Sequence, residues 1–373
     1  MGIKDLKALI RKHSPNGITI QDLSSYSNKV IAIDISIYFY RFLSYGNHLS
    51  GLVRQILLLL DNRITPLYVF DGKPPEEKSD VLKERKEKKE KLMADKLLLE
   101  EKLAEAENPN EIETLKKTLW LLSRELICVT PEHNESAKQL FDLFGVPYLV
   151  ADGEAEILCA KLCKLGYVDG CLSEDTDLLP NGSKIFINNF KVTQRFVQEF
   201  NLNIILSEMN ITHDQFIDIC ILCGCDYTNK IEGLAKDGAY ALIKKLGNIE
   251  GIIQYINHHK KTVANKYTVP NDFNYQRARE IFNTSIEELV DPNLIVTKMN
   301  DKVNIDKLEL FVHNNCERLS KKYLHQIRKI LGRYHNDHKK YKFSEPNKNN
   351  QQITTKTIDS YFKPIQSIDP ETE

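Results

Sequence analysis

Long apolar runs are missing from this chain. No stretch approaches 18 uncharged residues, so no membrane-crossing helix is expected. A charged leader followed by an apolar core is also missing at the start, and a secretory signal is not expected. Position 6 is Leu rather than Ser or Thr, so Gly2 does not fit a myristoylation pattern. Eight cysteines are present but without a disulfide framework, which points to a reducing, intracellular compartment. Cys220, Cys223 and Cys225 are close enough to raise zinc. No second Cys/His pair stands at ligand spacing, and the first two fall in an apolar helical run, so buried thiols are expected. An excess of one charge is lacking too. Lys and Arg number 51 against 52 Asp and Glu, a net charge of −1, so the whole molecule advertises neither a nucleic acid nor a membrane partner. The average hides an asymmetry. Between Arg318 and Lys342 stand nine Lys/Arg and three His with one acid, either the charged face of a solvated helix or a phosphate-binding surface.

What is present is an α/β pattern across 373 residues with an ordinary 42% hydrophobic content. Three apolar runs end in aspartate: VIAID at Asp34, LYVFD at Asp71, and GCLSED at Asp175 with Asp177 two residues on. Such runs between helical patterns read as parallel strands. Ligands of these sheets bind beyond the carboxyl ends of the strands, so the acids would converge there. Two carboxylates about 4 Å apart repel by roughly 4 kcal/mol at an effective dielectric near 20. Protons or cations must neutralise such a cluster, and hard oxygen ligands suit Mg²⁺ or Mn²⁺. A metal-dependent enzyme acting on phosphate esters follows.

The layout predicted from pattern has five parts. Residues 1–75 read as a short helix, a strand to Asp34, a helix through Tyr40 and Phe42, a helix near Val53–Leu60 and a strand to Asp71. Residues 76–125 are dense in Lys and Glu and read as two helices around Asn108-Pro109-Asn110: a solvated hairpin, or a lid over the strand-end acids. Residues 126–212 resume the α/β pattern, with strands at Leu126–Thr130 and Val146–Val150, helices at Glu135–Phe144 and Glu154–Leu165, a strand leading to Asp175, and a hairpin over 184–199. Residues 213–343 read as helical at first, broken at Gly224–Gly233 and at Gly247. Residues 344–373 are polar and Pro/Asn-rich, and disorder is expected there, interrupted by the island TKTIDSYF.

Seven carboxylates are candidates for chemistry: Asp34, Asp71, Glu154, Glu156, Asp175, Asp177 and Asp226. Glu154 and Glu156 open a helix, where the dipole alone favours acids. An E-x-E or D-x-D pair is by itself a weak signal, most often a surface pair. Seven acids at strand ends, a helix start and a Gly-Cys-Asp-Tyr break form a stronger one.

MGIKDLKALI at the start, VFDGKPP at 69–75, GEAEILCAKL at 153–162, SEDTDLL at 173–179 and ILCGCDY at 221–227 stand in one order. Together they resemble the flap endonucleases, the XPG-type family of structure-specific 5′ nucleases, over about residues 1–255. The resemblance implies an α/β fold with a mixed, mainly parallel sheet flanked by helices, a helical arch at 76–125 and a C-terminal helix–two-turn–helix region. It implies two Mg²⁺ ions, with Mn²⁺ as substitute. One is held mainly by Asp34, Asp71, Glu154 and Glu156, the other mainly by Asp175, Asp177 and Asp226. One ion activates water and both stabilise the attacking and leaving oxygens. A single-stranded 5′ end would pass through the arch. Lys78 and Arg85, which share a helical face, match basic residues that contact the scissile phosphate; ordinary pairing with nearby Glu is the alternative. Tyr40 matches an aromatic residue on which a base stacks.

The segment Gln215–Leu246 resembles the helix–two-turn–helix that grips duplex DNA with a monovalent cation, but departs from it. The chain reads Gly233-Leu234-Ala235-Lys236-Asp237-Gly238, with Ala235 in place of a glycine and Asp237 where a basic residue is expected. Acid near phosphate is unfavourable; Lys244, Lys245 and the 318–342 stretch are candidates to compensate. Thr355, Ile358, Tyr361 and Phe362 resemble a sliding-clamp-binding motif, with Thr355 in place of the leading glutamine. Packing against the protein's own body is the alternative for that island.

The expected function is a monomeric 5′ flap endonuclease with 5′→3′ exonuclease activity, in replication and base-excision repair. The alternatives are a sister 5′ nuclease (a repair exonuclease or a junction resolvase), an inactive clamp-bound scaffold and a small-substrate phosphatase. The nucleus is the default location. The Ile-, Asn- and Lys-rich usage also suits an AT-rich protist or viral genome.

Overall fold

Six strands pointing one way and one reversed strand make the sheet that carries the acids. The computed structural model describes residues 2–259, 267–300, 303–316, 319 and 321–340. In chain order the elements are α1 (Leu6–His13), β1 (Ile18–Asp22), β2 (Val30–Asp34), α2 (Ile35–Leu43), α3 (His48–Asp61) and β3 (Thr65–Phe70). The long pair α4 (Ser79–Glu105) and α5 (Pro109–Glu125) follows, then α6 (Pro131–Phe144), β4 (Tyr148–Val150), α7 (Ala155–Leu165) and β5 (Gly170–Leu172). The hairpin β6 (Ile185–Asn188) and β7 (Phe196–Asn201) leads into α8 (Leu202–Met209), α9 (His213–Cys223), α10 (Lys236–Leu246) and α11 (Ile249–His258). The described helices end with α12 (Tyr275–Phe282), α13 (Ile305–Asn315) and α14 (Lys321–Lys340). Residues up to Leu331 form one unit.

The strand order is β1-β7-β6-β5-β2-β3-β4. β2 lies at the switch point: the chain moves from it to β3 on one side and returns to β5 on the other. Parallel strands buried on both faces read as continuous apolar runs, and every residue of β3 is buried. Side chains alternate between faces. Ala32, Leu67, Val69 and Cys171 join the core built with α1, α7 and α9. Tyr68 and Phe70 point the other way, where Tyr68 stacks on Phe141 of α6 at 4.3 Å between ring centroids and Phe70 meets Phe39 of α2.

Differences from the sequence pattern have local causes. Leu126–Thr130 is not a strand. The Leu126 N–H closes α5 by donating to Leu122, and Thr130 caps α6 in a reciprocal box with His133 just before Pro131. The segment is consumed by two helix ends. The strand expected over Val146–Val150 begins at Tyr148, because the Val146 N–H turns back to the Phe141 carbonyl and Pro147 has no donor. Strand β1, a short edge strand not anticipated from the pattern, pairs antiparallel along β7. The two helices over 76–125 meet at Asn108, which caps α5, with Pro109 in its first turn. Neither α4 nor α5 buries a described side chain.

Candidate active site

Strand ends and helix starts at the carboxyl edge of the sheet bring the acids close enough to act on one another electrostatically. Asp34 closes β2 and caps α2: its Oδ1 accepts the Ser36 N–H at 3.0 Å. Its Oδ2 accepts the Ser173 hydroxyl at 3.1 Å from the end of β5. Asp71, just past β3, accepts the Ala155 N–H at 2.8 Å and the Ser36 hydroxyl, so it ties the start of α7 to α2. Glu156 lies in the first turn of α7. Asp175 accepts the Asp177 N–H at 3.1 Å, and Asp177 accepts the Ile3 N–H at 2.9 Å. The amino-terminal segment therefore packs into the site. Gly2 has φ +82°, and a Cβ there would lie 2.0 Å from Asp175 Oδ1, so no other residue fits without displacement.

Lys78 is buried at the foot of α4. Its ammonium donates to Glu154 and stands 3.4 Å from Asp226. Arg85, one face along α4, reaches the same Asp226 at 3.1 Å. The two basic residues thus converge on one carboxylate. Tyr227 holds the other Glu154 oxygen at 2.8 Å.

Burial and mutual repulsion load this group. Loss of water, then the neighbouring Asp71, push Asp34 up to about 7. Burial followed by Asp175 and Asp177 raises Glu156 far above the usual carboxylate range. Burial followed by Asp175 and Asp226 does the same to Asp177. Burial lowers the Lys78 ammonium, but Glu156 and Glu154 outweigh it and keep it protonated.

A divalent cation fits this donor set chemically. It offers carboxylate oxygen throughout, and its acids are strained in a way that added positive charge relieves. As placed, no three His, Cys, Asp or Glu side chains among the described residues converge on one point for an ion. Their oxygens are turned to Lys78, Ser36, Ser173, Tyr227 and backbone donors, so a bound ion would displace some of these contacts.

The remaining candidates fall elsewhere. Tyr40 is half exposed on α2. Gly233 adopts φ +76°, a conformation that suits glycine. Ala235 has φ −89° at the start of α10 and carries no such strain. Asp237 sits in the first turn of α10, paired with Lys12 at 2.7 Å and 3.6 Å from His13. The hydrogen bond from Lys12 holds its carboxyl below the usual range. Lys244 caps the end of α8, donating to the Met209 and Asn210 carbonyls. Lys245 lies over the Tyr255 ring at 5.6 Å. In the basic stretch, Arg328 is spent on Glu309 and Asp306 of α13. Cys220 and Cys223 lie in the core, and Cys225 is half-buried. Thr355, Ile358, Tyr361 and Phe362 lie outside the described residues.

Ser36 stands outside the quoted motifs, whereas Gly2-Ile3, Ser173 and Tyr227 stand inside them with no role of their own assigned. Each adjoins a motif acid in sequence or in the opening segment. That adjacency was the available signal, but only the fold shows which oxygen each one holds.

A sequence-family model described as the XPG N-terminal domain matches residues 1–92, and one described as the XPG I-region matches residues 145–226. The chain is 36% identical over 349 residues to flap endonuclease 1 of Danio rerio, covering 86% of this chain and 87% of that protein. It is 37% identical over 300 residues to flap endonuclease 1 of Caenorhabditis briggsae, covering 76% and 74%. Among solved structures, the catalytic core of Rad2 in complex with DNA substrate superposes with a TM-score of 0.67 at 22% identity, covering 88% of this chain and all of that one. The two family-model matches and 36–37% identity over most of the chain place it in the flap endonuclease family of XPG-type nucleases.

Proposed function

We infer that the chain is a metal-dependent, structure-specific 5′ flap endonuclease with 5′→3′ exonuclease activity, cutting DNA at single-strand/duplex junctions during replication and base-excision repair. The observation that carries this reading is the convergence of Lys78 and Arg85 from α4 on the acidic edge at Asp226. A phosphodiester entering there meets two cations beside a carboxylate group.

Two Mg²⁺ ions, or Mn²⁺ in their place, held by Asp34, Asp71, Glu154, Glu156, Asp175, Asp177 and Asp226, would supply an activated water and charge stabilisation. The chain's own residues do the rest. Lys78 and Arg85 hold the non-bridging oxygens of the scissile phosphate and oppose the charge that builds on them. Ser36, Ser173 and Tyr227 fix the carboxylate orientations, as supporting hydrogen bonds do around metal ligands. Tyr40 offers its exposed ring to the base beside the cut. Helices α4 and α5 form the arch for the 5′ strand. Gly233 and the start of α10 face duplex phosphates, with a monovalent cation as the further candidate ligand. Thr355, Ile358, Tyr361 and Phe362 take up a sliding clamp, and the protein works as a nuclear monomer.

The test is cleavage of an end-labelled double-flap DNA with Mg²⁺, beside a blunt duplex, a four-way junction and a metal-free control. A single cut near the flap base, dependent on metal and on a free 5′ end, is expected. Preference for the junction or the blunt end would move the chain to a sister branch. Binding without any cut would make it a scaffold.

A further inference from the structure

Three side chains from two elements form an exposed ladder near the foot of the arch. Trp120, the only tryptophan in the chain, lies on α5 with 56% of its surface exposed. One turn on, the Arg124 guanidinium stands 4.8 Å from its ring centroid. The same guanidinium stands 5.8 Å from the ring of Tyr45, which lies in the α2–α3 turn and is 66% exposed. Arg124 also donates to the Ser44 hydroxyl at 3.4 Å, and no carboxylate among the described residues pairs with it. Ser44 in turn donates its N–H to the carbonyl of Tyr40, which fixes the Ser44 hydroxyl to the end of α2.

An i,i+4 Trp–Arg pair alone would be ordinary helix-surface packing. Here the guanidinium is shared with a ring from a different element, and its charge is left without an acid. Both rings that meet it are more than half exposed. Rings that accept any base face, interleaved with a guanidinium that attracts phosphate, are the ingredients of a single-strand platform. We propose that Trp120, Arg124 and Tyr45 form a stacking site for the unpaired bases of a single-stranded DNA segment. The site rests on the nuclease reading and adds to it a defined grip on the strand away from the acids.

The lone tryptophan makes the site report on itself. The full chain, in Ca²⁺, is titrated with a 5′-flap DNA and with a blunt duplex of equal length, following indole emission and DNA anisotropy together. Ca²⁺ satisfies carboxylates without the tight octahedral geometry of Mg²⁺. The expected result is a change in emission with the flap and none with the duplex. Base stacking on one ring is worth roughly 5- to 150-fold in affinity, so Trp120→Ala should weaken flap binding within that range and Trp120→Phe should restore most of it. Blunt-duplex affinity should stay unchanged in both variants. Flap binding seen by anisotropy with silent indole emission would overturn the inference and leave the nuclease reading standing. An equal emission change with duplex would also overturn it. No binding of either DNA would remove both readings.

Discussion

A carboxylate stripped of water must find a proton, a donor or a cation, and burial pushes Asp34, Glu156 and Asp177 toward the proton. Asp177 keeps one hydrogen bond from Ile3 while facing Asp175 and Asp226. Asp177→Asn preserves an oxygen for the Ile3 N–H and removes a charge. Its expected effects are loss of cleavage and a melting temperature in chelator that is unchanged or higher, by roughly 1–3 °C if about 1 kcal/mol of repulsion is relieved. A clear drop, read by calorimetry, would show that Asp177 is a net stabiliser without metal. Proton linkage gives a second prediction. Asp34 titrates near 7 in the folded chain and near 3.9 when unfolded. The folded state binds more protons between those values, so the contribution of Asp34 is fully present below about pH 4 and is lost as pH rises toward 7. A divalent ion binds the ionised form, so its stabilisation grows across the same window. The gap between melting temperatures with Mg²⁺ and with chelator should widen from pH 5 to pH 7.5; a constant gap would mean that these acids do not hold the ion. Asp34, Asp71, Asp175 and Asp177 were legible as neighbours because runs such as VIAID end where a parallel strand must end, whereas Glu154, Glu156 and Asp226 were marked by a helix start and a glycine break. The roles of Ser36, Ser173 and Tyr227 were not legible, even though the last two stand inside quoted motifs, because a hydroxyl that orients a distant carboxylate carries no pattern of its own.

Elements were legible where period and punctuation agreed. Asn108-Pro109 marks the start of α5, and the glycines at 224 and 247 follow the last residues of α9 and α10. They were illegible where neighbours decide. Leu126–Thr130 has strand composition, but two helix ends claim it, and β1 has only four alternating residues before it pairs along β7. The α4–α5 pair buries no described side chain, so its cohesion contributes little to the core. Replacing residues 90–122 with a short Gly/Ser linker should keep the melting temperature within about 2 °C, since surface segments change stability little. Flap cleavage should fall by an order of magnitude or more under single-turnover conditions. Unfolding of the shortened chain would assign the arch a structural role. At α10 the acid that departs from the family pattern has a local partner: Asp237 neutralises Lys12 and lies beside His13 of α1. Asp237→Lys would add one cation and release another. Duplex affinity should rise several-fold and the slope of log affinity against log salt should steepen by about 1–2. An unchanged slope would mean that the turn does not face phosphate.

Over the whole molecule, a net charge of −1 leaves no long-range pull toward DNA. On the proposed reading, attraction comes from local sets: Lys78 with Arg85, the α4–α5 pair, and α14. Part of the last is already spent, since Arg328 pairs within the fold. A nuclease with so little net attraction gains from being held at its substrate by something else, and tethering raises effective concentration without adding any contact at the site. The island around Ile358, Tyr361 and Phe362 offers apolar anchors of the kind a partner pocket takes. It follows the nuclease body in the chain, as a tether should. Phe362→Ala should therefore leave cleavage of a free flap oligonucleotide within about twofold and remove the stimulation produced by a sliding clamp loaded on the same DNA. Raising salt should make wild-type cleavage more clamp-dependent, because screening weakens the local DNA contacts before it weakens an apolar plug. Equal loss of basal and clamp-stimulated cleavage in Phe362→Ala would place that ring against the enzyme itself.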